Sequence, residues 1–218
     1  MVIRKCWDFM REDIMKVVRD FNKLGTMNWR LKTIFLSLIP KKETVEKVKD
    51  FIHIGLMGSV CKMISKVLAE RLKSALPYII SDQQSAFIKE RQILEFALLA
   101  NECIDSRIRS GTPGVICKID FEKAFDHVSW DFVDDVLAKM VFGELWRKCI
   151  QGCISDTPIS VLINGSAHRK FTTGKGLMQG VPLSPFIYII VVEALHLLLQ
   201  SGKEQGHIGG FAMSQMGS

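Results

Sequence analysis

The chain has 218 residues, 48% hydrophobic and 24% charged, which excludes a disordered polypeptide and leaves room for one large domain or two small ones. Its six cysteines form no C-x-x-C pair, and no His stands at zinc-ligand spacing from Cys149 and Cys153, which argues for reduced, mostly buried thiols in an intracellular protein and against a zinc site. The net charge of +6 is uneven: residues 1–90 hold 17 Lys and Arg against 10 Asp and Glu, whereas residues 91–218 hold 12 against 13. A basic first half fits a chain that grips a phosphate backbone, and it also fits a lysine-rich solvated surface.

In chain order, Met10, Ile14, Val17, Val18, Phe21 and Leu24 recur at helical spacing and Gly25 follows as a stop, so residues 1–25 read as an amphipathic N-terminal helix with no secretory signal. Residues 33–39 are a short apolar run closed by Pro40, which reads as a strand, and residues 51–56 read as its return. Lys41 and Lys42, just past the first strand, fit a triphosphate or template contact as well as a solvated turn. Residues 62–76 make a helix with Met63, Ile64, Val67, Leu68, Leu72 and Leu76 on its apolar stripe and Pro77 after its end. Residues 81–91 read as a loop. Ile93, Ala97, Ala100, Ile104 and Ile108 then line a further helix that ends before Gly111.

Residues 115–128, V-I-C-K-I-D-F-E-K-A-F-D-H-V, open with strict alternation, the period of a half-buried strand with Asp120 at its end. A carboxylate at the end of a core strand suits two-metal phosphoryl chemistry, because the rigid strand fixes the metal's position. The same spacing also describes a strand-to-helix turn in which Asp caps backbone amides. Ser129 reads as the N-cap of a helix with Trp130, Val133, Leu137 and Met140 inward. Asp131, Asp134 and Asp135 lie early in it, where the helix dipole favours anions without any metal. Gly143 reads as its stop, and residues 145–153 as the next helix. Residues 159–163 and 169–172 flank Asn164-Gly165, a hairpin with a type I′ turn. Then comes G-K-G-L-M-Q-G-V-P-L-S-P, residues 174–185, whose glycines suit close approach of backbone to a ligand and whose spacing is not that of a Walker loop. The helix from Pro185 to about residue 200 is apolar on most sides, which predicts burial. The longest apolar run, residues 186–192, is too short to span a bilayer, so no membrane is expected. The tail from residue 201 suggests no compact element.

Five of these segments together, in this order, resemble the reverse transcriptase domain of non-LTR (LINE-type) retrotransposons, with plant elements closest: L-I-P-K-K (38–42), Q-x-x-F-x-x-x-R-x-I (84–93), K-I-D-F-E-K-A-F-D-H-V (118–128), V-L-I-N-G (161–165) and G-L-M-Q-G-V-P-L-S-P (176–185). The resemblance covers roughly residues 25–200. It implies an α/β (α+β) fold: right-hand polymerase fingers plus a partial palm, an antiparallel sheet packed with helices. Residues 26–114 would be fingers-like and 115–200 palm-like, with the N-terminal helix (1–25) before them and an irregular tail (201–218) after. It implies RNA-directed DNA polymerisation on an RNA template and DNA primer from deoxynucleoside triphosphates, with Mg²⁺ as cofactor. Asp120 then matches the palm carboxylate that binds both catalytic metals, and Phe125 the aromatic gate under the incoming sugar. Gln179 and Gly180 match the loop against the nucleotide, and Lys41 a fingers cation near the triphosphate.

The departures from the family pattern are as specific as the matches. Ile52 stands where the family carries a triphosphate-contacting Arg, Met178 replaces an Arg, and Val181 replaces an Asp. The A-D-D strand with the other palm carboxylates is absent, and after residue 185 the only acids are Glu193 and Glu204. One Asp cannot hold two dications about 4 Å apart. The expectation is therefore a truncated reverse transcriptase domain with little activity alone, which would need the missing palm and thumb portion as a partner. The alternative is a non-catalytic module that still binds RNA or a hybrid duplex.

Overall fold

The computed structural model describes residues 2–88, 91–111 and 113–209. In chain order the elements are α1 (Val2–Lys5), α2 (Trp7–Leu24), α3 (Trp29–Lys32), β1 (Ile34–Pro40), β2 (Phe51–Met57), α4 (Ser59–Ile79), α5 (Ile93–Ser110), α6 (Trp130–Lys139), α7 (Glu144–Ile154), β3 (Pro158–Ile163), β4 (Ser166–Thr172) and α8 (Ser184–Glu204). The class is mixed α/β, as the resemblance implies.

The helix signals act as their chemistry predicts. Gly25 ends α2 in the left-handed region at φ +70°, its amide donating to the Phe21 carbonyl. Ser129 caps α6 by accepting the Phe132 amide. Pro77, expected beyond the end of α4, lies inside it: the proline forgoes only the amide bond to the Lys73 carbonyl, and its preset φ is helical. Gly143 does not stop α6, which ends at Lys139; it is the N-cap of α7. Asp134 owes its place to more than the helix dipole. Arg147 of α7 grips it with Nε on Oδ1 at 2.9 Å and a second nitrogen on Oδ2, and those hydrogen bonds hold the carboxyl below its ordinary range.

The four strands form one sheet in the order β2-β1-β3-β4. β1 and β2 pair antiparallel, as do β3 and β4, and the Asn164-Gly165 turn has φ +50° and +79°, the type I′ geometry. The central β1–β3 pairing is parallel, where the resemblance implied an antiparallel sheet. The long helical segment between the two strands makes a parallel crossover possible. Ile34 and Ile159, partners across that pairing, are fully buried. Behind the sheet the core is helical: Leu72 and Leu76 of α4, Val133 and Leu137 of α6, Ile150 of α7, and Ile187 and Ile190 of α8.

Further expectations fail. Leu24 of α2 and Val67 of α4, read on inner stripes, are 64% and 59% exposed. The alternating segment 115–120 forms no strand; residues 113–121 lie unpaired, with Val115 90% exposed and Ile116 and Ile119 also exposed. Alternation only assigns side chains to faces, whereas a strand also needs a ladder partner for its amides and carbonyls, and this segment pairs with neither open edge of the sheet. Helix α5 exists, but Ala97, Ala100 and Ile108 of its expected inner stripe are exposed, and Ile93's side chain lies outside the described residues. Helix α8 is buried only over its first half; Leu197, Leu198 and Leu199 face out. At 21 residues it is long and apolar enough to cross a membrane by length and composition, unlike the seven-residue run read from sequence, yet its inner face is part of the helical core. It continues to Glu204, into the expected tail, of which residues 210–218 lie outside the described residues. None of the six cysteines is in a disulfide among the described residues: Cys61, Cys149 and Cys153 are buried, Cys103 is half-buried, and Cys6 and Cys117 are exposed. Burial pushes the Cys61 thiol up to about 11, so it stays protonated and inert.

Candidate nucleotide and nucleic-acid cleft

The loop before α8 is built on glycine. Gly176 has φ +99° and Gly180 φ +89°, conformations that side chains rarely adopt. Gly176 donates its amide to the Val128 carbonyl at 2.8 Å, and Leu177 donates to the Phe125 carbonyl at 2.8 Å. Trp130 Nε1 donates to the Gly176 carbonyl at 2.8 Å. Residues 125–130 and 176–177 are thus zipped together. At its other end the loop lies on β2, where the Gly55 amide donates to the Gln179 carbonyl at 3.3 Å. A Cβ on Gly180 would stand 3.3 Å from the Gly55 carbonyl oxygen. The Ser184 hydroxyl closes the turn by donating to the Met178 carbonyl at 2.8 Å.

Between this loop and the sheet lies a cleft of about 370 Å³. Leu36, His53, Ile159 and Phe171 line its sheet side, and Asp126 and Lys175 its loop side. Lys175 Nζ is 3.2 Å from His127 Nδ1. The cleft therefore has a mostly apolar sheet side, Leu36, Ile159 and Phe171 with His53, and two oppositely charged residues, Asp126 and Lys175, on its loop side.

The structure brings Phe125, Gln179 and Gly180 into one neighbourhood. The Phe125 ring stacks on Tyr188 of α8, with centroids 4.7 Å apart and planes 18° from parallel. It leaves Asp120 outside: that carboxylate is exposed on the unpaired segment, and Asp126 is the acid that lines the cleft. Lys41 is also remote. It sits at the tip of the β1–β2 hairpin, where its amide donates to the Asp50 carbonyl and Lys42 pairs with the Asp50 carboxylate at 3.2 Å. Leu36, opposite Gly55, is five residues back along β1, so Lys41 is about 17 Å along the strand from the Gln179 contact. Ile52 lies on β2 opposite Ile39, half-exposed, and Val181 is buried in the helical core. Among the described residues no group of three or more His, Cys, Asp or Glu stands close enough to hold a metal ion. With Asp120 isolated, the residues present do not fit a two-cation site.

Two polar side chains matter more than their sequence context suggests. Arg91 donates to the carbonyls of Ser81 at 2.6 Å, Gln84 at 2.8 Å and Ile80 at 3.2 Å, and it pairs with Asp82. Glu193, 3% exposed in the apolar helix α8, accepts the Ser81 hydroxyl. The Q-x-x-F-x-x-x-R spacing flags Arg91 without a role, and a lone acid in an apolar helix is the signal for Glu193's buried partner. Arg91→Ala is expected to lower stability by about 2–3 kcal/mol, because three carbonyls lose a charged donor. A urea midpoint equal to wild type would remove Arg91 as the brace of this loop.

The family model of reverse transcriptase (RNA-dependent DNA polymerase) matches residues 39–209. Over 194 residues the chain is 28% identical to the Transposon TX1 uncharacterized 149 kDa protein of Xenopus laevis, a match covering 89% of this chain and 15% of that protein. Over 191 residues it is 29% identical to the Retrovirus-related Pol polyprotein from type-1 retrotransposable element R2 of Popillia japonica, covering 85% of this chain and 27% of that one. Over 53 residues, 24% of the chain and 43% of the relative, it is 40% identical to the Uncharacterized mitochondrial protein AtMg01250 of Arabidopsis thaliana. The chain thus spans 15% and 27% of the lengths of the first two relatives. By the family match over most of its length, the chain belongs to the reverse transcriptase (RNA-dependent DNA polymerase) family.

Proposed function

We propose that residues 1–218 form the template- and nucleotide-holding part of a retrotransposon RNA-directed DNA polymerase, and that this polypeptide alone binds RNA or a hybrid duplex without polymerising. The observation that carries this reading is the glycine loop zipped to residues 125–130 and laid on Gly55 beside a cleft with Asp126 and Lys175 on its loop side. Family members work with divalent metal ions, a nucleic-acid template and nucleotide substrates. On our reading the template is RNA, the primer DNA, the substrates deoxynucleoside triphosphates and the ion Mg²⁺. Residues 26–114 act as fingers and 115–200 as part of the palm of an intracellular enzyme. Gln179 and Gly180 lie against the nucleotide, and Phe125 gates its sugar. Lys41, at the hairpin tip, is too far along β1 from the Gln179 contact to share its phosphate, and Asp120 would serve as catalytic carboxylate and metal ligand only in company with further palm carboxylates.

Further carboxylates would have to join Asp120 before an ion pair could be held. The unpaired segment 113–121, with Val115, Ile116 and Ile119 exposed, is where the remaining palm would add a strand. Primer extension on an RNA template with Mg²⁺ tests the reading beside filter binding of the same RNA. The expected result is binding that weakens steeply with salt and no incorporation above background. Incorporation that vanishes in Asp120→Ala would refute inactivity, and no RNA binding at any salt concentration would refute the whole reading.

A further inference from the structure

The sheet carries a second charged surface, away from the cleft. Phe171 of β4 faces the cleft, so Lys170, the next residue along the strand, projects from the sheet's other face. There Lys170 Nζ stands 3.7 Å from the centroid of the Trp29 indole, and the Arg30 guanidinium carbon stands 5.4 Å from the same centroid. Trp29 is 50% exposed, and all of β4 is exposed. The backbone that carries the indole is fixed at the start of α3: Asn28 Oδ1 accepts the Arg30 amide at 3.0 Å, and the Thr33 hydroxyl donates to the Trp29 carbonyl at 2.9 Å. Residues 26–42 and 158–175 hold seven Lys and Arg and no Asp or Glu. Of these, Arg30 and Lys170 are the two on the indole; Lys32 is buried, Lys41 and Lys42 lie at the hairpin tip and Lys175 lines the cleft. The acids that reach these cations are Asp50, paired with Lys42 at the hairpin tip, and Asp156, which acts on the buried Lys32. Neither takes Lys170 or Arg30. The cluster also joins the two halves of the chain, since Lys170 comes from the half that is net neutral by composition.

An aromatic ring that gathers two cations at an open surface lowers the entropy lost when those cations take phosphates. The geometry points to a binding site for single-stranded nucleic acid on the sheet face opposite the cleft, where Arg30 and Lys170 each take a backbone phosphate and Trp29 positions both. This site rests on the nucleic-acid reading proposed above, and it places a strand outside the cleft.

The test is fluorescence anisotropy of a labelled 12-nucleotide single-stranded RNA, and of DNA of the same length, titrated with the 218-residue chain across a salt series. Two single-strand phosphate contacts contribute about 1.4 to the slope of log K against log salt. Arg30→Ala/Lys170→Ala is therefore expected to flatten the slope by about 1.4 and to weaken binding about 25-fold at 0.1 M salt, equally for RNA and DNA. Trp29→Leu, which keeps both cations and removes the ring, is expected to weaken binding severalfold at an unchanged slope. Lys16→Ala on α2, a helix whose cations alternate with acids, is expected to match wild type. A wild-type slope in the double variant overturns the site, as does an equal loss in Lys16→Ala or a loss seen with only one of the two single strands. If wild-type chain binds neither strand, the failure belongs to the proposed function itself. If Trp29→Leu does not fold, the double variant decides alone, since both its substitutions are at the surface.

Discussion

Gly152→Ala is expected to cost a large share of the chain's stability. Gly152 lies in α7, where a Cβ would stand 2.0 Å from the Gly25 carbonyl oxygen and 3.3 Å from the Phe21 ring. The obstacle is backbone, so no side-chain rotation relieves it. Gly25 is itself pinned: it is left-handed at φ +70°, and its own missing Cβ would stand 2.6 Å from Lys148 Cβ. The end of α2 and the body of α7 therefore meet backbone to backbone, and a methyl group at 152 forces them apart by about 1 Å. Phe21, 4% exposed, is the side chain that this separation uncovers. Overpacking at backbone plus partial loss of a buried aromatic comes to about 3–5 kcal/mol, a large share of the roughly 5–15 kcal/mol typical of a domain. Urea unfolding followed by circular dichroism reads it. Gly174→Ala, where a Cβ meets nothing within 4 Å, is the control and should stay within about 0.5 kcal/mol of wild type. Equal midpoints for the two variants would refute the close approach of α2 to α7.

Gly176→Ala is expected to have the next largest effect, and to act on the cleft. At φ +99° this residue is in backbone territory that only glycine enters without strain, and a Cβ would stand 3.0 Å from the Asp126 carbonyl oxygen. The expected loss is about 2–4 kcal/mol, from backbone strain and from opening of the bonds to Val128 and Trp130. The second readout is local. Trp130 Nε1 loses the Gly176 carbonyl, so its indole moves toward water and the tryptophan emission shifts to longer wavelength under native conditions. A wild-type melt with unshifted emission would show that the 125–130 segment does not depend on this loop.

The family was legible in the sequence because its motifs are local. Gly176, Gln179 and Gly180 are read as a close-approach loop from composition alone, and the structure lays that loop on Gly55 and Phe125. Asp120 was equally prominent, yet the cleft is lined by Asp126. A carboxylate's position depends on whether its strand finds a neighbour, and nothing within residues 115–120 specifies one. The Trp29–Lys170 contact was not legible at all, because its partners are 141 positions apart and neither has a distinctive local pattern.

By itself the sequence determined what short-range chemistry decides. The apolar stripe of α6 and, but for Leu24 and Val67, those of α2 and α4, the Gly25 and Ser129 caps and the type I′ turn at Asn164-Gly165 each follow from residues within a few positions of one another. Tertiary structure alone decided the parallel pairing of β1 with β3, the exposure of residues 113–121, the burial of Glu193 against Ser81 and the meeting of Gly25 with Gly152. Each of these depends on a partner far along the chain, whose position is set by the packing of the whole core.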